Sequence, residues 1–164
     1  MIGNIKIIAV CMCKVYDERN YRIIRALNNF AVENDYRLFV YHTCSDLYWK
    51  TLSEKGEQSV FDLIDYDITD AVVTFEEGVY AENVMTKIRM DAAQYGKPVI
   101  SVGVEHDDCI SIKFGYAKGF EQVVRHVIEQ HGVRDIGFIA GRKDEEHSEE
   151  RIAVFRKLLE EYDI

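Results

Sequence analysis

A doubly wound parallel α/β sheet is the fold this chain predicts, and three observations predict it. Short, near-continuous apolar runs recur along the chain, as expected of parallel strands covered on both faces. Between them lie longer segments with apolar residues at helical spacing. Glycine, or a polar residue that tolerates the left-handed conformation, closes three of those segments. Strand and helix in alternation imply βαβ crossovers and a sheet of order 2-1-3-4-5.

Residues 5–10 (IKIIAV) form the first expected strand. Asp17 caps a helix reaching about Glu33, with Ile23, Ile24, Leu27, Phe30 and Ala31 as its apolar stripe, and Asn34 and Asp35 stop it. Residues 37–42 (RLFVYH) make the second strand, and residues 53–65 a helix with Val60, Phe61 and Ile64 inward. Residues 71–75 (AVVTF) follow as the third strand. Val84, Ile88 and Ala92 mark a helix that Gly96 ends. The fourth strand, 98–103 (PVISVG), opens on a proline, where no ladder donor is lost. Residues 109–112 (CISI) are a shorter fifth.

A further helix carries Phe120, Val123, Val124, Val127 and Ile128 and stops at Gly132. After it, residues 136–140 read as a short buried strand, followed by a turn at Gly141, a polar loop and a last helix. Ser148 is the expected N-cap of that helix, and Ile152, Phe155, Leu158, Leu159 and Tyr162 form its apolar face. Arg151 then falls in the first turn, where the helix dipole disfavours a cation. In open sheets of this kind ligands bind outside the carboxyl ends of the strands, near the switch point. That places Cys13, Tyr16, Phe75, Glu76, Val104 and His106 around the expected site.

Composition narrows the class. A chain of 164 residues, 48% hydrophobic, buries a real core. A net charge of −9 argues against a nucleic-acid surface, which needs clustered lysine and arginine. Residues 5–12 are too short an apolar run for a signal peptide, and no run approaches a membrane span, so a cytoplasmic chain without membrane contact is expected. Cys11, Cys13, Cys44 and Cys109 are then reduced thiols. With no CxxC or HxxxH spacing to aim four ligands, they are read as small hydrophobes, and no metal or cofactor is expected. His106, Asp107 and Asp108 read as a polar turn. Dinucleotide, Walker, nucleophile-elbow and zinc-protease motifs are missing, and no enzyme is expected.

Residues 131–155 (HGVRDIGFIAGRKDEEHSEERIAVF) carry a resemblance. Gly132, Ile136, Phe138, Gly141, Ser148, Arg151 and Phe155 resemble the entry to the second lobe of LacI/GalR-type, periplasmic-binding-protein-like sensors. Residues 56–75 and 131–155 look especially like sensor lobes found ahead of GGDEF outputs, although no GGDEF sequence occurs here. The resemblance implies a first Rossmann-like lobe over 1–132 and the start of a second lobe, one strand and one helix, over 133–164. It implies that Arg151 faces a cleft between lobes and contacts the ligand. Two departures stand out. No helix-turn-helix reader precedes the first strand, and the family's V-x-V-D-N segment is Ile110, Ser111, Ile112, Lys113 and Phe114.

On this reading the chain is the small-molecule sensor of a bacterial signalling or transcriptional regulator. It binds an effector, of sugar or nucleobase class, without catalysis, and serves an output domain outside this sequence. Two alternatives stand beside it: a ligand-free dimerisation module, and an uncharacterised enzyme on a Rossmann-like scaffold. A lobe of one strand and one helix also leaves Ile136, Phe138, Ile139, Ile152, Phe155, Leu158 and Leu159 largely in water. Addition to the first sheet, a second copy of the chain, or disorder would each relieve that, and a homodimer through residues 136–162 is the expected outcome.

Overall fold

The structure is a computed structural model that describes residues 5–77, 79–141, 143 and 145–164. It divides into two compact units, the first ending at Lys113 and the second covering Phe114–Ile164.

In the first unit β1 (Lys6–Cys13), β2 (Tyr36–Thr43), β3 (Ala71–Phe75), β4 (Val99–Val102) and β5 (Ile110–Ile112) form one parallel sheet, ordered β2-β1-β3-β4-β5 as expected. Alternation along β1 sends Ala9, Cys11 and Cys13 to one face. The register aligns Ala9 with Val72 and Val72 with Val99, so an apolar row crosses three strands. Against it pack Phe61 and Ile64, and Met85, Ile88 and Ala92 of α3 (Glu82–Gln94). Gly96 at φ +65° turns the chain out of α3, as its sequence position implies.

Local detail departs from expectation in two places. The helix α1 (Glu18–Glu33) begins after Asp17 and turns out through Asp35 at φ +60°, but its stripe is shallower than its sequence suggests. Ala31 is buried, Ile23, Ile24 and Leu27 are half-buried, and Phe30, at the rim of the stripe, is 65% exposed. The helix expected over 53–65 is α2 (Leu52–Gln58) followed by a 3₁₀ segment (Ser59–Leu63). A capping box starts α2. Thr51 Oγ1 accepts from the Glu54 amide at 3.2 Å, and Glu54 Oε2 accepts from the Thr51 amide at 2.9 Å. As the expected strand bounds imply, residues 103–109 join β4 to β5 as a loop without a helix, a shorter link than a parallel pair normally uses.

The second unit pairs α4 (Tyr116–His131) with α5 (Glu146–Glu161). Gly132 at φ +62° ends α4. Val124, Ile128 and Leu158 are its buried centre. Phe138 lies 5.1 Å from both Phe120 and Phe155, ring centre to ring centre, so the segment before α5 packs on both helices. Residues 136–140 are therefore no strand. Ile136 and Phe138 turn inward and Ile139 outward with strand-like alternation, but no ladder partner exists among the described residues. The alternation recorded one-sided burial, not pairing. The apolar residues expected in water are half-buried or buried within this single chain, because α4 supplies the missing face. Ile139 alone, 96% exposed, fits the expectation.

The start of α5 is also corrected. Glu145 is the N-cap, and Ser148 lies in the first turn, fully buried, donating to Glu145 Oε2. Gly141 packs on it so closely that a Cβ there would come 2.1 Å from Ser148 Oγ. Arg151 accordingly falls in the second turn of α5, past the reach of the dipole effect expected of it.

Candidate functional site at the carboxyl edge of the sheet

The loops that leave β1 to β4 all emerge on one edge. At the end of β1, Cys13 is buried. Its Sγ lies 2.9 Å from Thr43 Oγ1, at the end of the neighbouring β2. Burial pushes the thiol up to about 11, against a smaller downward pull from the Thr43 hydroxyl. Cys11, deeper on the same face, is raised further by burial and then by the Glu76 charge. Lys14 follows at φ +49°, its Nζ 2.9 Å from Asp46 Oδ2. Asn20 Nδ2 donates to the carbonyls of Cys13 and Lys14 at 3.0 and 3.1 Å, tying α1 to the end of β1. Tyr16 projects 81% exposed, its ring edge-on to His42 at 5.4 Å. In the loop after β2, one oxygen of Glu57 accepts from the amides of Cys44 and Ser45, each at 2.9 Å.

The centre of the edge is a buried ion network. Glu76, just past β3, accepts from Arg89 Nη1 at 2.8 and 2.9 Å and from Thr74 Oγ1 at 2.7 Å. His106 Nε2 lies 2.9 Å from Glu76 Oε2. Ser111 of β5 holds the His106 backbone, its Oγ accepting from the amide at 3.0 Å. Arg89 Nε is buried without a hydrogen-bond partner, and Asp108 Oδ1 stands 3.6 Å away. Gly103, at φ +104°, lets the chain pass Glu77, where a Cβ would come 2.6 Å from the Glu77 Cβ. Arg19 reaches Glu77 from α1 with two bonds of 3.2 and 2.7 Å.

A second group of polar atoms lies at the start of α5. Arg151 Nε and His147 Nδ1 are buried with no hydrogen-bond partner. The His147 ring meets Tyr116 edge-on at 5.0 Å, and Glu150 Oε2 stands 3.8 Å from Nδ1. No group of three or more metal-ligating side chains occurs among the described residues, nor any helix long and apolar enough to cross a membrane.

No sequence-family model and no curated protein matches the chain. Solved structures do. Transcription regulator CcpA of Lactococcus lactis is 21% identical with a TM-score of 0.68, over 97% of this chain and 55% of its own. A sugar-binding transcriptional regulator of the LacI family from Enterococcus faecalis is 15% identical at 0.66, over 98% and 54%. A periplasmic binding protein/LacI transcriptional regulator from Alkaliphilus metalliredigens, complexed with D-xylulofuranose, is 18% identical at 0.66, over 97% and 54%. The chain has the LacI-type fold. It spans about half the length of the chains it matches.

Within that LacI-type fold, the expected site residues separate by role. Phe75, Glu76, Val104 and His106 gather around the ends of β3 and β4, Cys13 ends β1 and Tyr16 follows it. Cys13 and Glu76 are already occupied by Thr43 and by Arg89 with His106, so they form the floor of the edge. Tyr16 is open, and Phe75, Val104 and His106 are half-buried. Arg151 lies in the second unit with its Nε unpartnered. Sequence reasoning missed Arg89. The signal was present: Arg89 falls four residues after Met85 and three before Ala92, in the apolar stripe of α3, where a cation requires a buried carboxylate.

Proposed function

We propose that this chain is the small-molecule sensing domain of a bacterial signalling or transcriptional regulator, without catalysis of its own. The observation that carries it is the braced His106. Its Nε2 is taken by Glu76, which is itself pinned by Arg89, and its backbone is held by Ser111. Such bracing fixes a ring nitrogen at the edge where ligands bind in open α/β sheets. Tyr16, Phe75 and Val104 supply apolar contacts beside it, and Arg151 supplies a charged donor from its own unit. The regulators and binding protein that share the fold support the reading, two of them described as sugar-binding or sugar-complexed. The proposal includes an effector of sugar or nucleobase class. It also includes an output domain outside this chain, such as a GGDEF domain, a homodimer and a cytoplasmic location.

A thermal-shift screen with sugars, nucleobases and amino acids tests this. One class raising the melting temperature, with the gain lost in His106→Ala, is the expected result, since a ligand stabilises the state it binds. The second reading, a ligand-free dimerisation module, draws on the internal occupation of Cys13 and Glu76. Silence across the screen from a stable dimer selects it.

A further inference from the structure

A pair of imidazoles lies in the second unit, in the last turns of α4. His126 Nε2 and His131 Nε2 are 3.2 Å apart, both rings are exposed, and their centres are 5.0 Å apart. Five positions along a helix do not share a face, so the two side chains reach toward one another rather than meeting through helical periodicity.

We propose that His126 and His131 form a two-imidazole binding site for a borderline divalent transition metal such as Zn²⁺ or Ni²⁺. The two distances fit a shared ion. A straight N–H···N contact along both ring axes would hold the centres about 5.5 Å apart at this nitrogen separation. The observed 5.0 Å, with the ring planes at 79°, shows that the two axes are not collinear. With metal–nitrogen bonds of about 2.0–2.1 Å, a nitrogen separation of 3.2 Å corresponds to a nitrogen–metal–nitrogen angle of about 103°, between square-planar and tetrahedral values.

The surroundings favour a cation. His131 is the last residue of α4, where the helix dipole is negative, and the chain as a whole carries −9. Imidazole is a ligand type suited to zinc, copper and nickel. With no third protein ligand among the described residues, water completes the coordination. That makes the site reversible, unlike a closed structural zinc centre. A bound ion would staple the final turn of α4.

Calorimetric titration of Ni²⁺ and of Zn²⁺ into the full chain tests it, in a Cys44→Ser background that removes the exposed thiol as a competing ligand. The expected result is one equivalent bound, with affinity falling about tenfold or more in His126→Ala and in His131→Ala separately. Imidazole nitrogen spectra should show both Nε2 signals moving on metal addition. Unchanged affinity in both variants, or metal binding that leaves those signals in place, overturns the proposal and leaves the pair sharing a proton only.

Discussion

Met85, Arg89 and Ala92 fall on one face of α3, so a guanidinium stands among apolar neighbours and Glu76 is its counterion. Removing one member of a buried pair strands the other, so Arg89→Met is expected to cost about 3–5 kcal/mol, read from urea denaturation. A loss under about 1 kcal/mol would show the network to be relaxed or hydrated. The thiols behind it set an alkaline limit. Cys13 keeps its proton to about pH 11, whereas an unfolded thiol loses it near 9.0. The folded form therefore binds more protons across that window. Stability contributed by this difference is complete below pH 9 and declines as pH rises toward 11. Denaturation midpoints that stay flat over pH 8–11 would contradict it. Native alkylation should likewise reach exposed Cys44 and spare Cys11 and Cys13. Arg151→Ala is expected to weaken binding of the effector found by screening by about 1.5–3 kcal/mol, with the melting temperature of the free protein unchanged. Calorimetry giving equal affinities would remove Arg151 from the site.

Elements were legible where a local rule decides them. Gly96 and Gly132 stop α3 and α4 because their φ of +65° and +62° suits glycine, and an apolar run as dense as β1 admits few other readings. The strand expected over 136–140 failed for a different reason. Alternation says which side is buried and cannot say whether a neighbouring backbone is there to pair with. The start of α5 was misplaced because Ser148 is a favoured cap type, whereas Glu145, a poorer one, holds that place and receives the Ser148 hydroxyl instead. At this scale Leu158, fully buried between α4 and α5, is the test. Leu158→Ala should cost about 2–5 kcal/mol and expose the amides of α5 to hydrogen exchange. A negligible loss would mean that the two helices do not depend on one another. Gly141→Ala should destabilise the same unit, since its methyl carbon displaces the buried Ser148 hydroxyl from Glu145.

For the molecule as a whole, the doubly wound parallel sheet followed from strand–helix alternation, and the location of the candidate site followed from the carboxyl ends of its strands. The partners within the site did not. Glu76 and Arg89 are thirteen residues apart and His106 thirty from Glu76, and only the folded chain brings them within 3 Å. Self-association is part of the proposed function. Light scattering is expected to show a dimer, and a monomer at high concentration would contradict it. The central claim is that a small molecule binds at the carboxyl edge. Backbone amide spectra, recorded with the most stabilising compound from the screen, address it directly. Shifts concentrated at Tyr16, Glu76, Val104 and His106 are the predicted result. Shifts confined to other surfaces, with these amides unmoved at saturation, would contradict it.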